Sequence, residues 1–218
     1  MLFLILIIFT GCDLKSANDY LKEAGGLEDK EKYSEAIKLL NKAIDSYPEF
    51  KDVYLSRGAD RAALGNYTGA IDDYSSALKL DPKNTLALFN IGNNYKRLHQ
   101  ELKAIAYYNS ALKTKGNDFV SMDIKPNPFI ESAFDVPFGQ ISYERGLAFF
   151  RIDSLKHAFS DFRNAIDGGY KADKGFYYEG LILKCYRQKV KACECFVKAG
   201  QLGNKDAIKE FDSFCQGN

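Results

Sequence analysis

The sequence predicts an all-α fold, a solenoid of about five helix–turn–helix units closed by a short C-terminal helix. Three observations carry that expectation. Ala36, Ala70 and Ala104 are 34 residues apart, as are Ala158 and Ala192, and Ala43, Ala77, Ala111, Ala165 and Ala199 follow each by seven. Gly58, Gly92, Gly146 and Gly180 lie twelve before the alanine of their units, with Ala24 in the matching place of the first. Aromatic residues fall four after it at Tyr74, Tyr108, Phe162 and Phe196, with Leu40 in the first unit. A fixed period of this length is the mark of stacked supersecondary units.

The local chemistry agrees with the period. Ala70, Tyr74 and Ala77 are spaced four and three and so share one helical face. Small residues there let a second helix approach, and Gly58 on the preceding helix is the natural counterpart. Leu64-Gly65-Asn66 supplies the turn between the two helices. Pro82 ends the second helix, because the residue before a proline avoids the α region. Each unit therefore presents an apolar face too large to bury alone.

The stretches GNYTGAIDDYSSALKLDP and EKYSEAIKLLNKAIDSYP resemble the tetratricopeptide repeat (TPR) family. The resemblance implies a right-handed α-solenoid with units at 17–50, 51–84, 85–118, 139–172 and 173–206. A closing helix is expected near 205–215, so that 207–218 form a cap and tail. Ala104 and Ala158 are 54 residues apart, one repeat plus 20. The additional segment, 119–138, contains Pro126, Pro128 and Pro137 among four phenylalanines. It reads either as a cover over the seam between units three and four or as a loop that contacts a partner or occludes a groove.

The N-terminus has a different character. Leu2 to Phe9 is an unbroken apolar run, far shorter than the roughly 20 residues of a transmembrane helix. It fits the apolar region of a signal peptide. The following Thr10-Gly11-Cys12 resembles the bacterial lipobox, although Phe9 stands where that family prefers Leu. The resemblance implies a signal peptide over 1–11 and a mature chain that begins with Cys12, carrying diacylglycerol and acyl lipid, with 12–16 as a tether. The protein would then be exported across the inner membrane and lipid-anchored in the cell envelope, with the outer membrane favoured.

Composition narrows the partners. A formal net charge of +1 points neither to nucleic acid nor to an anionic membrane surface. His99 and His157 stand apart at turn or surface places, and no Cys/His cluster has metal spacing. No phosphate loop, GxSxG or HExxH occurs, so neither an enzyme, nor a small-molecule substrate, nor a cofactor beyond the lipid is expected. Cys185, Cys193, Cys195 and Cys215 crowd into the last unit. Small buried thiols are their simplest reading, with pairing open in an oxidising envelope. The basic stretch Lys184, Arg187, Lys189 and Lys191 reads as a solvated helix face.

In the resembled family, ligands lie in a concave groove lined by the first helix of each unit. By position that groove would be lined by Leu55, Ala59 and Ala62, then by Phe89, Asn90, Asn93, Lys96 and Arg97. Tyr143, Leu147, Phe150 and Arg151 follow, then Tyr177, Leu181 and Lys184. Asn90, Asn93 and Arg97 form one polar stripe at helical spacing. Rings, amides and a guanidinium together suit a peptide or helix. The family's carboxylate clamp is only partly present, since Leu55 and Ala59 occupy places of its Lys and Asn. The expected role is a membrane-anchored scaffold that binds envelope proteins or peptides; the alternative is a chaperone-like assembly or folding factor for exported proteins.

Overall fold

The structure, a computed structural model, describes residues 15–114 and 136–216. Among these residues the chain is wholly helical. Its first three helix pairs are α1 (Ala17–Glu28) with α2 (Tyr33–Ser46), α3 (Lys51–Ala63) with α4 (Tyr67–Leu80), and α5 (Thr85–Arg97) with α6 (Glu101–Thr114). Two more follow, α7 (Phe138–Arg151) with α8 (Leu155–Asp167) and α9 (Ala172–Cys185) with α10 (Lys189–Gln201). The chain closes with α11 (Lys205–Glu210) and one π-helical turn, Phe211–Cys215. Each helix packs on its pair-mate and on the next helix in sequence. Cys12, and the segment 119–138 up to residue 135, lie outside the described residues.

The periodic small residues make the helix–helix contacts. The alanines of both series are fully buried. A methyl group on Gly58 would stand 2.9 Å from the Tyr74 ring, on Gly92 2.6 Å from Tyr108, and on Gly180 2.5 Å from Phe196. The glycine is thus the socket for the aromatic ring four residues after the alanine. In the first unit the socket is Ala24 and the plug is Leu40, both fully buried, so a larger socket residue meets a smaller plug. Gly180→Ala is therefore expected to destabilise the protein by about 1–3 kcal/mol. Adding Phe196→Leu should recover most of that loss, because it reproduces the first unit's pairing. Thermal melts of the single and double variants check this.

One backbone device closes all five pairs. Glu31, Gly65, His99, Asp153 and Arg187 stand at the same place in successive units and all have positive φ, between 56° and 78°. The next residue's N–H then bonds back to a carbonyl five residues earlier, as Asn66 to Arg61 and Gln100 to Tyr95 do at 2.8 and 2.9 Å. This satisfies carbonyls that a helix end leaves open.

The seams between units carry a second repeated device. Arg57 of α3 grips the buried Asp73 of α4 and donates through Nη1 to Asn41 of α2, at 2.6 Å. Arg145 of α7 does the same with Asp161 of α8 and Asn109 of α6. The second triad lies beyond the 20 additional residues, yet its partners are the positional equivalents of the first. Units three and four therefore stack as units one and two do, and the insertion leaves the solenoid in register. At the intervening seam the equivalent residues are Ser75, Ile91 and Tyr107, and Tyr107 stacks on Tyr95 at 5.5 Å.

The terminal elements continue the array by half a unit. Asn204 caps α11 by accepting from the Ala207 N–H at 3.0 Å, and Phe211, Phe214 and Cys215 pack on the core of the last pair. A disulfide joins Cys193 on α10 to Cys215, with the Cα atoms 5.9 Å apart. Buried thiols, the simplest expectation, hold only for Cys195, while Cys185 is exposed. The pairing has a topological cause: α11 turns back along α10 and brings a residue 22 positions later alongside Cys193.

Candidate functional site

The first helices of neighbouring units also meet one another, α1 with α3 and α5 with α7. The array consequently curves with its first helices on the inner side. The inner face is the surface on which the sequence places a partner.

On α5 most of the expected contact groups are already engaged. Phe89 is only 4% exposed and its ring meets Tyr108 at 5.8 Å; it is a core residue and does not line an open groove. Asn90 hydrogen-bonds the Tyr74 hydroxyl, and Asn93 accepts from the Tyr108 hydroxyl at 2.7 Å. Burial lifts both tyrosine hydroxyls well above their ordinary pKa, so each stays neutral, and the asparagine beside it holds it in place. Lys96 is ion-paired with Glu144 of α7, whose other oxygen is 3.6 Å from Lys171. Arg97 is exposed. The stripe of Asn90, Asn93 and Arg97 thus divides into two internal supports and one outward charge.

On α7 and α9 the face is more open. Tyr143, 3% exposed, belongs to the core: it contacts Phe162 and Tyr170, both at 5.8 Å, beneath the Lys171 ammonium at 4.8 Å. Its place on the surface is taken by half-buried Tyr178, which stacks on Phe162 at 4.8 Å and meets Phe150 edge-on at 5.3 Å. Phe150, Tyr177, Leu147 and Leu181 are likewise half-buried. Arg151 reaches Glu101 at 3.2 Å and keeps 49% of its side chain exposed. Lys184 bonds Glu210 of α11 at 2.7 Å and sits 4.9 Å above the Phe214 ring, so the cap uses it.

Glu144 and Tyr178 are missing from the residues expected on this face, although each stands where Asn90 stands in its own unit. Counting the same 34- and 54-residue offsets along the chain finds both. Lys171 has no such signal, since it lies at a turn between units with φ of 45°.

Among the described residues no group of three or more His, Cys, Asp or Glu side chains could hold a metal ion. His157 stacks on Phe149 at 5.0 Å, and His99 closes a turn. Burial pushes the Cys195 thiol up to about 11, which leaves it protonated and unreactive near neutrality. Among the described residues no helix is long and apolar enough to cross a membrane.

Helix pairs related by a fixed repeat, stacked through buried small residues and curved about their first helices, define an α-solenoid. Comparison with known proteins finds tetratricopeptide repeats within it: residues 60–98 match a family model described as TPR repeat, and residues 86–118 one described as tetratricopeptide repeat. Human tetratricopeptide repeat protein 6 is 38% identical over 69 residues, which are 31% of this chain and 13% of that protein. In three dimensions the chain is similar to MamA (41 to the end) from Desulfovibrio magneticus RS-1, with a TM-score of 0.69 at 18% identity over 85% of this chain and 94% of that one. Pseudomonas aeruginosa PilF gives 0.71 at 15% identity, over 92% and 83% of the two chains. The TPR protein YrrB gives 0.66 at 19% identity, over 88% and 89%. These likenesses concern the fold.

Proposed function

We propose that this protein is a lipid-anchored scaffold of the bacterial cell envelope that binds a peptide or helix of an envelope protein on its inner face. The observation that carries the binding reading is the row of half-buried apolar side chains on α7 and α9. Leu147, Phe150, Tyr177, Tyr178 and Leu181 flank the exposed Arg151, and Arg97 lies on the same side. Rings with two or three rotatable bonds give contact area at small entropic cost, and a guanidinium takes a carboxylate. The structurally similar YrrB is described as having an unusual peptide-binding site, which supports the same use of the fold. The Cys193–Cys215 disulfide supports export, because such bonds persist in oxidising compartments. Lipid on Cys12 supplies the anchor, and catalysis has no part in this role.

Three measurements test the reading. Cys12→Ser should release the protein from membranes and stop labelling by palmitate analogues; unchanged membrane association removes the anchor. The lipid-free domain, used in a pull-down, should capture one stoichiometric partner, whereas a spread of denatured clients favours the folding-factor reading. Arg97→Ala should weaken that partner by roughly 1.5–3 kcal/mol, with the melting curve shifted by no more than about 0.5 kcal/mol. If the outward-facing Asp72→Ala weakens it and Arg97→Ala does not, the inner face is not the site.

A further inference from the structure

The seam between units four and five departs from the triads described above, and the departure opens a hollow. Arg163 of α8 stands where Asn41 and Asn109 stand, Glu179 of α9 where Arg57 and Arg145 stand, and Cys195 of α10 where Asp73 and Asp161 stand. The cation therefore comes from the preceding second helix and the carboxylate from the first helix, the reverse of the other ionic seams. Glu179 is fully buried, ion-paired with Arg163 at 2.8 Å, and 3.9 Å from the Cys195 thiol. Its side chain is two heavy atoms shorter than arginine. Arg57 and Arg145 fill the equivalent space with side chains that are only 15% and 21% exposed, whereas Arg163 lies at the surface with 48% exposed.

What remains is a hollow of about 440 Å³ between α8 and α10, floored by α9. It opens on the side of the second helices, away from the inner face. Its walls are Phe159, Phe176, Leu183 and the half-exposed Tyr186. At its rim stand exposed Lys191 and Lys198, with Arg163, whose Nη1 lacks the asparagine acceptor found at the other two ionic seams. Lys198 and Arg163 lie over the Phe176 and Phe159 rings, at 5.5 and 5.7 Å, so the cations are held beside the apolar walls. Glu194 is the one exposed acid among the lining residues.

We propose that this hollow is a second docking site, for an acidic segment of a partner protein that inserts one aromatic side chain. The ring would fill the space that Arg57 and Arg145 occupy in their own seams. Flanking carboxylates would meet Lys191, Lys198 and the open edge of Arg163. The site is independent of the inner face, so a scaffold built this way holds two partners on opposite sides.

The test uses the lipid-free domain and a fluorescent peptide, Asp-Glu-Phe-Glu-Asp, with two controls: Lys for every acid, and Ser for Phe. Saturable binding of the acidic aromatic peptide is expected, at least tenfold tighter than either control. Lys191→Glu with Lys198→Glu should weaken it tenfold or more. A triple variant, Arg163→Asn, Glu179→Arg and Cys195→Asp, rebuilds the triad of units three and four and fills the hollow. It should keep the melting temperature and lose the peptide, while Phe150→Ala leaves peptide affinity unchanged. Three peptide results each overturn the proposal: no saturation up to about 1 mM, equal affinity for the controls, or undiminished affinity in a folded triple variant. Should the triple variant fail to fold, Tyr186→Ala takes its place, with the same loss expected. Binding of phosphatidylglycerol vesicles that depends on the two lysines, without peptide binding, identifies the patch as a membrane contact and also overturns it.

Discussion

Arg145→Leu should destabilise the protein by about 3–5 kcal/mol, the range for stripping a buried charge of its partner. Asp161 is 2% exposed and its carboxylate depends on the two bonds from Arg145, at 2.6 and 2.8 Å. Burial already holds its pKa above the ordinary value although Arg145 pulls it down, so without the guanidinium it must protonate or the seam must open. Removing both charges should do far less harm. The chain contains its own precedent, since Ile91 and Tyr107 occupy the corresponding places one seam earlier. Arg145→Ile with Asp161→Tyr and Asn109→Ser transplants that neutral seam, and its urea midpoint should lie well above that of Arg145→Leu. If the single variant unfolds at the wild-type midpoint, the ionic grip does not hold units three and four together.

Asp60→Asn should act in the opposite direction. Asp60 is 2% exposed, and one of its carboxylate oxygens has no hydrogen-bond donor among the described residues. Burial first, and Glu28 second, push its pKa from 3.8 to about 7. A carboxyl whose folded value is raised gives full stability below the unfolded value and progressively loses it as pH climbs to the folded value. The wild type should therefore lose roughly 2–4 kcal/mol from this group between about pH 4 and pH 7, and little more above. The amide variant should lack that slope and be the more stable protein at pH 7. Asn94 shows how an amide fits the equivalent place in the next unit: its Nδ2 donates to the Asn90 carbonyl at 2.7 Å. Urea denaturation of both proteins at pH 4.5 and pH 7.5 separates them, and parallel slopes would mean that Asp60 is solvated.

The fold was legible because stacking by repeats places a size constraint on every unit. Gly58 with Tyr74 and Gly180 with Phe196 are the same socket and plug, and a period of 34 exposes them without any structure. The inner face was only partly legible. Helical position says which way Asn90, Asn93, Phe89 and Tyr143 start out, and not where a long side chain ends. The asparagines end on tyrosine hydroxyls from the second helices, whose reach across the unit is a matter of ring length and tilt. Phe89 and Tyr143 end in the core because rings on α6 and α8 lie close enough to enclose them. The disulfide was less legible still, since it depends on how far the closing half-unit folds back, and four cysteines in one region leave several pairings open.

The disulfide also gives the array a direction of opening. Stacked units fray from their ends, because a terminal unit has one neighbour and an internal unit has two. At the C-terminal end the bond from Cys193 to Cys215 ties the last half-unit to α10. The other end has α1, whose interior holds Gly25 and Gly26, with nothing among the described residues within 4 Å of where a methyl would sit; each costs roughly 0.5–1 kcal/mol relative to alanine. Amide exchange under native conditions should therefore be faster in α1 and α2 than in α9 and α10, and reduction of the disulfide should speed exchange in α10 and the cap and narrow that difference. Such a chain opens from the first unit inward, like a zip with one end sewn shut. A load applied at residue 15 would peel units off singly, and the hollow between α8 and α10 would be among the last features lost.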